Sequence, residues 1–154
     1  MNDVDPHRLP RHARPERYDL TLEPDLDAGA FSGSVSIRLR VVEPTDRLVC
    51  NAVDLTIDDA TLEVDGTRTE LRVEPDPEHE RVALVAPASV DLGEATLHLR
   101  FRGELNDKLR GFYRSRFRDA DGNEHVIATT QFEATDARRA FPCWDEPDFK
   151  ATFG

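Results

Sequence analysis

Phe31-Ser32-Gly33-Ser34-Val35-Ser36-Ile37-Arg38-Leu39-Arg40-Val41 decides the fold class. Successive side chains of an extended chain point to opposite faces. Here Phe31, Gly33, Val35, Ile37, Leu39 and Val41 fall on one face, and Ser32, Ser34, Ser36, Arg38 and Arg40 fall on the other. The stretch predicts a long strand with one buried and one wet face, the habit of an antiparallel sheet.

The same beat continues on both sides. Tyr18, Leu20 and Leu22 alternate with Asp19, Thr21 and Glu23 until Pro24 ends the run. Val53, Leu55 and Ile57 keep time, and Leu62 and Val64 resume it after a one-residue phase slip near Asp59 and Ala60, which a bulge or tight bend produces. Short strands are expected at 71–73 and 82–85, with Glu74-Pro75-Asp76-Pro77 as the turn between them. Leu97, Leu99 and Phe101 alternate with His98, Arg100 and Arg102, and Gly103 closes that strand. Residues 112–117 and 126–130 read as a hairpin around Asp121-Gly122. At most one short helix is expected, near 135–140, ended by Phe141-Pro142. Many short strands between turns predict an all-β domain, either a β-sandwich or an open, curved antiparallel sheet.

Bulk properties narrow the function classes. The 154 residues suit one domain, and 31 acidic against 20 basic side chains leave a net charge of −11. Wrapping a nucleic acid demands a basic footprint, so that class is excluded. No apolar run approaches the ~20 residues of a membrane span, which excludes an integral membrane protein. The opening lacks the apolar core of a secretory signal. Cys50 and Cys143 are too few for a disulfide scaffold and lack metal-type spacing, which predicts a reduced, cytoplasmic protein. Residues 1–14 are polar and proline-bearing, an extended lead-in with no core of their own.

Charge is uneven along the chain. Residues 51–96 hold 12 acidic and 3 basic side chains, whereas residues 97–118 hold 7 basic and 2 acidic. Arg114, Arg116 and Arg118 alternate and so share one face of a strand. Such a row fits either a docking surface for an acidic partner or, as the favoured reading, the solvated face of an amphipathic strand. The five histidines show no zinc spacing. His79-Glu80 begins like H-E-x-x-H, but Ala83 stands where the second histidine belongs, and the segment alternates as a strand. Neither a phosphate-binding glycine loop nor a G-x-S-x-G elbow occurs. No nucleophile with an adjacent base and no metal site emerges, so the chain as it stands is not expected to catalyse.

Residues 129–153 read differently. They gather the only Trp, a Cys, two prolines and several charges where the strand pattern breaks. Gln131 and Glu133 are two apart and would share a face, with Phe132 turned to the core. A carboxylate beside an amide acceptor is a seat for a substrate ammonium group, although a strand end whose polar residues face water has the same appearance.

The segment Gln131–Phe153 resembles the Q-x-E-x-x-x-A-R-x-x-F-P-C-x-D-E-P-x-x-K-A-x-F signature of the aminopeptidase N family of zinc metallopeptidases. The resemblance extends upstream. Pro15–Leu20 is similar to P-x-x-Y-D-L, Phe31–Val35 to F-x-G-x-V, and residues 103–115 to G-x-L-N-D followed by G-F-Y-R-S. The ordered motifs span residues 15–153.

The resemblance implies a saddle-like N-terminal β-domain over residues 15–154, truncated at its C-terminal end, that precedes the catalytic domain and closes one side of its active site. By the same resemblance Glu133 binds the free α-ammonium of a peptide and Gln131 hydrogen-bonds beside it. The zinc would be bound by the catalytic domain, which this sequence lacks, and the expected partners are peptide N-termini and that domain. Arg138, Pro142, Trp144, Asp145 and Pro147 match the signature and are read as a Trp-anchored corner held by ion pairs. Ending at Gly154 would leave an unpaired sheet edge. The competing reading is a stand-alone β-sandwich interaction module without catalysis. A carbohydrate-binding sandwich fares worse, since one Trp and two Tyr make a poor aromatic platform.

Overall fold

The alternation along residues 31–41 is an alternation of burial. Phe31, Val35, Ile37, Leu39 and Val41 are buried, while Ser32, Ser34, Arg38 and Arg40 are exposed. A computed structural model of the chain describes residues 8–154. Among these the regular elements are β1 (Ala13–Asp25), β2 (Ala30–Val41), β3 (Thr45–Asn51), β4 (Leu55–Val64), β5 (Thr67–Glu70), β6 (Arg72–Asp76), β7 (Arg81–Val90), β8 (Gly93–Glu104), β9 (Gly111–Arg118), β10 (Glu124–Gln131) and β11 (Thr152–Phe153). The fold is all-β, as the sequence predicts.

The strands form three sheets, ordered β11-β1-β2-β8-β4-β5, β3-β7-β6 and β10-β9. Every pairing is antiparallel except β1 with β11. Side chains of the two larger sheets join one hydrophobic cluster, with Ile37, Leu97 and Leu99 from one and Leu48, Cys50 and Leu84 from the other. At ~25 cal/mol per Å² of apolar area removed from water, this shared interior is the main force holding the layers together.

One detail locks the register of the central strands. Phe31 stands opposite Gly103 and Gly33 opposite Phe101. Each ring lies over the facing glycine, so a Cβ at Gly33 would come within 2.6 Å of Phe101 and a Cβ at Gly103 within 2.6 Å of Phe31. The two glycines are therefore seats for aromatic rings, and a one-residue slip would unseat both.

Several expectations meet the structure in detail. The phase slip is a bulge between Ile57 and Asp59, which returns Ala60 and Leu62 to the buried face. The turn placed at Glu74–Pro77 lies further on. Pro75 belongs to β6, an edge strand that tolerates a residue without an N–H, and the chain reverses through a 3-10 turn at Pro77–His79 closed by Glu80 with φ +57°. β5 adds a strand beyond those expected: Asp65 and Gly66 (φ +49° and +77°) make the two-residue turn that Asp-Gly favours, and the chain returns along β4. The short helix near 135–140 is a single 3-10 turn, Ala137–Arg139, because Pro142 closes off the α-region for the residue before it.

Residues 1–7 of the expected lead-in lie outside the described residues. The remainder forms no core of its own, yet Leu9 and Ala13 insert into the core of the domain. Arg8 and Arg11 then clasp the far end of the chain. Arg8 Nε lies 3.1 Å from Glu146, Arg11 Nη2 lies 3.0 Å from the same carboxylate, and Arg11 sits 4.6 Å above the Phe149 ring.

Candidate functional site

Strand β10 ends at Gln131, whose partner across the ladder is Gly111 with φ +69°. Gly111 is required there twice over. The positive φ favours glycine, and a Cβ would lie 2.6 Å from that of Arg139. The base of the hairpin is thus pressed against the 3-10 turn. Beyond Gln131, the carbonyl of Phe132 accepts from the N–H of Asp136 at 2.8 Å, closing a tight loop. Phe132 is half-buried with its ring edge-on to buried Phe141, at 6.1 Å between centroids. Arg139 secures the loop from behind, 2.8 Å from Asp136 and 3.0 Å from Asp54.

The two predicted site residues flank this anchored phenyl ring. Gln131 and Glu133 are both exposed, and among the described residues neither side chain has a hydrogen-bond or ion-pair partner. The Glu133–Ala134 peptide is cis. The arrangement offers a solvent-facing carboxylate on a braced loop, two residues along from an exposed amide, which suits capture of a cationic group.

The residues read as structural behave as such. Trp144 is buried, and its N–H donates to the Tyr18 hydroxyl at 3.0 Å. Arg138 lies 2.9 Å from both Asp145 and Glu80. Asn51 Oδ1 accepts from the Asp145 N–H at 3.1 Å, and the backbones of Asn51 and Cys143 form a bridge. Burial pushes the Cys50 thiol up to about 12 and raises Cys143 and the Tyr18 hydroxyl well above their ordinary values. These groups remain neutral and form no reactive centre. Asp145 and Arg138 hold one another, so the corner keeps its charges to itself.

Other candidate constellations resolve into architecture. Ser36 Oγ and His98 Nδ1 share a hydrogen bond of 2.8 Å, and His98 Nε2 is 3.4 Å from Glu63. The order hydroxyl, imidazole, carboxylate is suggestive. However, it lies on the outer face of the sheet, where Arg68 also holds Glu63 at 2.7 Å. The β2 backbone donors are engaged with β1 and β8, leaving none for an oxyanion. The alternating arginines divide similarly: Arg116 pairs with Glu124 at 2.9 Å and Arg114 Nη1 reaches the Leu26 carbonyl at 3.4 Å. His79 and Glu80 sit on a turn and Ala83 on a strand, so no zinc helix exists there. Among the described residues no group of three or more His, Cys, Asp and Glu could hold a metal ion. None of their helices is long and apolar enough to cross a membrane.

A groove of about 900 Å³ opens at one end of the six-stranded sheet. Phe31 and Leu55 line it together with Asp25, Glu104, Lys108 and Arg110. Mixed charge signs along separate strands gave no signal in the sequence. The groove contains neither Gln131 nor Glu133, but Arg139 lines it and also braces the loop behind them.

Residues 14–154 match the Peptidase M1 N-terminal domain. The chain belongs to this family. Among curated relatives it is 49% identical over 146 residues to Aminopeptidase M1-D of Oryza sativa subsp. japonica, 44% identical over 151 residues to Aminopeptidase M1 of Arabidopsis thaliana, and 40% identical over 148 residues to the Puromycin-sensitive aminopeptidase of Caenorhabditis elegans. Each match covers 95% of the chain and 16 or 17% of the relative, so the chain spans about one-sixth of their length. The M1 N-terminal domain thus gives Gln131 and Glu133 their context, an N-terminal portion of proteins named as aminopeptidases.

Proposed function

We propose that this M1 N-terminal domain anchors the substrate of a zinc aminopeptidase, with Glu133 pairing with the free ammonium of a peptide N-terminus and Gln131 accepting a further hydrogen bond from it. The carrying observation is that Glu133 is exposed and, among the described residues, without an ion-pair or hydrogen-bond partner, on a loop held by Phe132, Asp136 and Arg139. A fixed anion sets the distance from terminus to scissile bond, which makes an enzyme remove one residue at a time. An acylated terminus brings no charge and leaves the carboxylate unpaired. In this reading the zinc and the general base belong to a catalytic domain outside this sequence. The domain alone is inactive, and the enzyme works in the cytoplasm on peptides, not on nucleic acids or membranes.

The test is kinetic, on the enzyme encoded by the complete reading frame. Glu133→Ala is expected to raise KM for free-amine peptides about tenfold or more, the worth of one charged hydrogen bond. It should also narrow the preference for free over acetylated termini. Unchanged kinetics would sink the assignment.

A further inference from the structure

Strand β7 carries a break in its pairing. Arg47 of β3 faces Val85 and Thr45 faces Val90, so residues 86–89 have no register partner on that side. On the other side the β6 ladder ends at Arg72, opposite Val85. Among the described residues, 86–89 therefore stay extended with no strand in register beside them. Extended backbone of this kind is where a further segment can add. Pro87 lacks an N–H, which limits the addition to a short one.

A slot of about 400 Å³ opens beside these residues, where β4 ends and β8 begins. Buried Leu62 and Ala86 and half-buried Val64 and Val90 give it an apolar lining, and Leu92 stands at it 63% exposed. Its charged lining residues are Asp65, Asp91 and Glu94, with no Lys, Arg or His among them. Glu94 shares Arg40 with Glu16, at 3.2 Å and 2.7 Å. Asp65 and Asp91 have no ion-pair or hydrogen-bond partner among the described residues. The slot adjoins Gly93 at the start of β8, whereas the larger groove adjoins Gly103 and Glu104 at its end. Neither Gln131 nor Glu133 lines the slot.

We propose that this slot is a docking site, separate from the substrate site, for an extended segment of a partner protein that carries an aliphatic side chain between lysines or arginines. Two features select that chemistry. The apolar lining rewards removal of an aliphatic side chain from water. Asp65 and Asp91 place negative charge on the rim with no cation of the domain to meet it, so basic segments are drawn in and acidic ones repelled. The whole lining comes from residues 51–96, whose 12 acidic and 3 basic side chains extend the same sign around it. A contact this small suits a weak, reversible partner. Its occupancy does not depend on whether Glu133 anchors a substrate.

Fluorescence anisotropy on the full-length protein tests this, with the labelled peptide acetyl-Lys-Lys-Val-Thr-Leu-Lys-Arg and a counterpart bearing Glu at each basic position. Acetylation leaves no free ammonium for Glu133. The basic peptide is expected to bind with a Kd under about 1 mM at low salt, and about tenfold or more tighter than the acidic one. Asp65→Asn combined with Asp91→Asn suits the same turns and is expected to weaken binding about fivefold or more. Leu92→Ser is expected to weaken it about threefold or more, and Glu133→Ala to bind as wild type does. Equal binding of the two peptides overturns the proposal, and so does a double variant that binds like wild type. Absence of binding overturns it by showing the slot filled by the rest of the chain, and binding that falls as protein concentration rises assigns the slot to a second copy instead. Weaker binding by Glu133→Ala puts the peptide at the substrate site and overturns it too.

Discussion

Two neighbouring stretches of the chain, around Trp144 and around Phe132, treat charge in opposite ways. Around Trp144, each charge has a partner: Arg138 holds Asp145 and Glu80, Asn51 caps the Asp145 N–H, and Tyr18 accepts from the Trp144 N–H. Around Phe132, the carboxylate of Glu133 and the amide of Gln131 face water with no partner among the described residues. Both stretches are rigidly placed, one by burial and the other by the Phe132–Phe141 contact and the Asp136 turn. The difference teaches that a signature rich in charge is not uniformly a site. Paired charges fix the geometry, and the unpaired one is the charge that the proposed function assigns to a ligand.

Breaking the closed corner should cost the most. Arg138 is 12% exposed and Asp145 17%, so Arg138→Ala strands a half-buried carboxylate and is expected to destabilise the domain by about 3 kcal/mol. Urea unfolding followed by Trp144 fluorescence measures this, and a loss under about 1 kcal/mol would mean the pair is solvated like any surface pair. Overpacking the ring seats comes next. Gly33→Ala drives a methyl into Phe101, with an expected loss of about 2 kcal/mol that Phe101→Leu in the same chain partly restores. The corner also sets an alkaline limit. Cys50, Cys143 and Tyr18 are raised by burial, so the folded state keeps protons that the unfolded chain releases. A raised pKa gives stability that is complete below the unfolded value and lost as pH rises. The urea midpoint should therefore fall progressively above about pH 9, and Cys50→Ala should flatten that fall.

The open flank should answer in the opposite way. Glu133→Ala removes nothing that the fold uses, so its unfolding free energy should stay within about 0.5 kcal/mol of wild type while KM of the full enzyme rises. A destabilised Glu133→Ala protein would show that the carboxylate belongs to the architecture after all.

The residues differ in how plainly they announced these roles. Period-2 alternation from Phe31 to Val41 and from Leu97 to Phe101 gave the sheet faces directly, because a buried face tolerates no interruption. The bulge near Asp59 was legible as a phase slip for the same reason. Pro75 misled because proline usually ends a strand, and nothing local tells an edge strand from a turn. Leu9 and the Arg8–Arg11 clasp left no signal at all, since their partners Glu146 and Asp148 lie some 140 residues away. Gln131 and Glu133 are singled out by the signature resemblance, and spacing alone does not separate them from wet strand-end residues. Their lack of partners is a property of the folded chain only.

The smallest effect concerns the outer face of the six-stranded sheet, which carries more ion pairs than the corner, but in water. Arg102 lies 3.0 Å from Asp58, and Arg100 lies 3.6 Å from Asp59. All four side chains are more than a third exposed, so Coulomb attraction is screened and the long arginines give up rotamer freedom to hold one geometry. Arg100→Ala and Arg102→Ala should each change the unfolding free energy by less than about 0.5 kcal/mol, and the two changes should add. Raising the salt concentration should erase what remains. A double variant losing more than the sum of the singles would mean that the face acts as one coupled network, in which case exposure is not what separates it from the corner around Arg138.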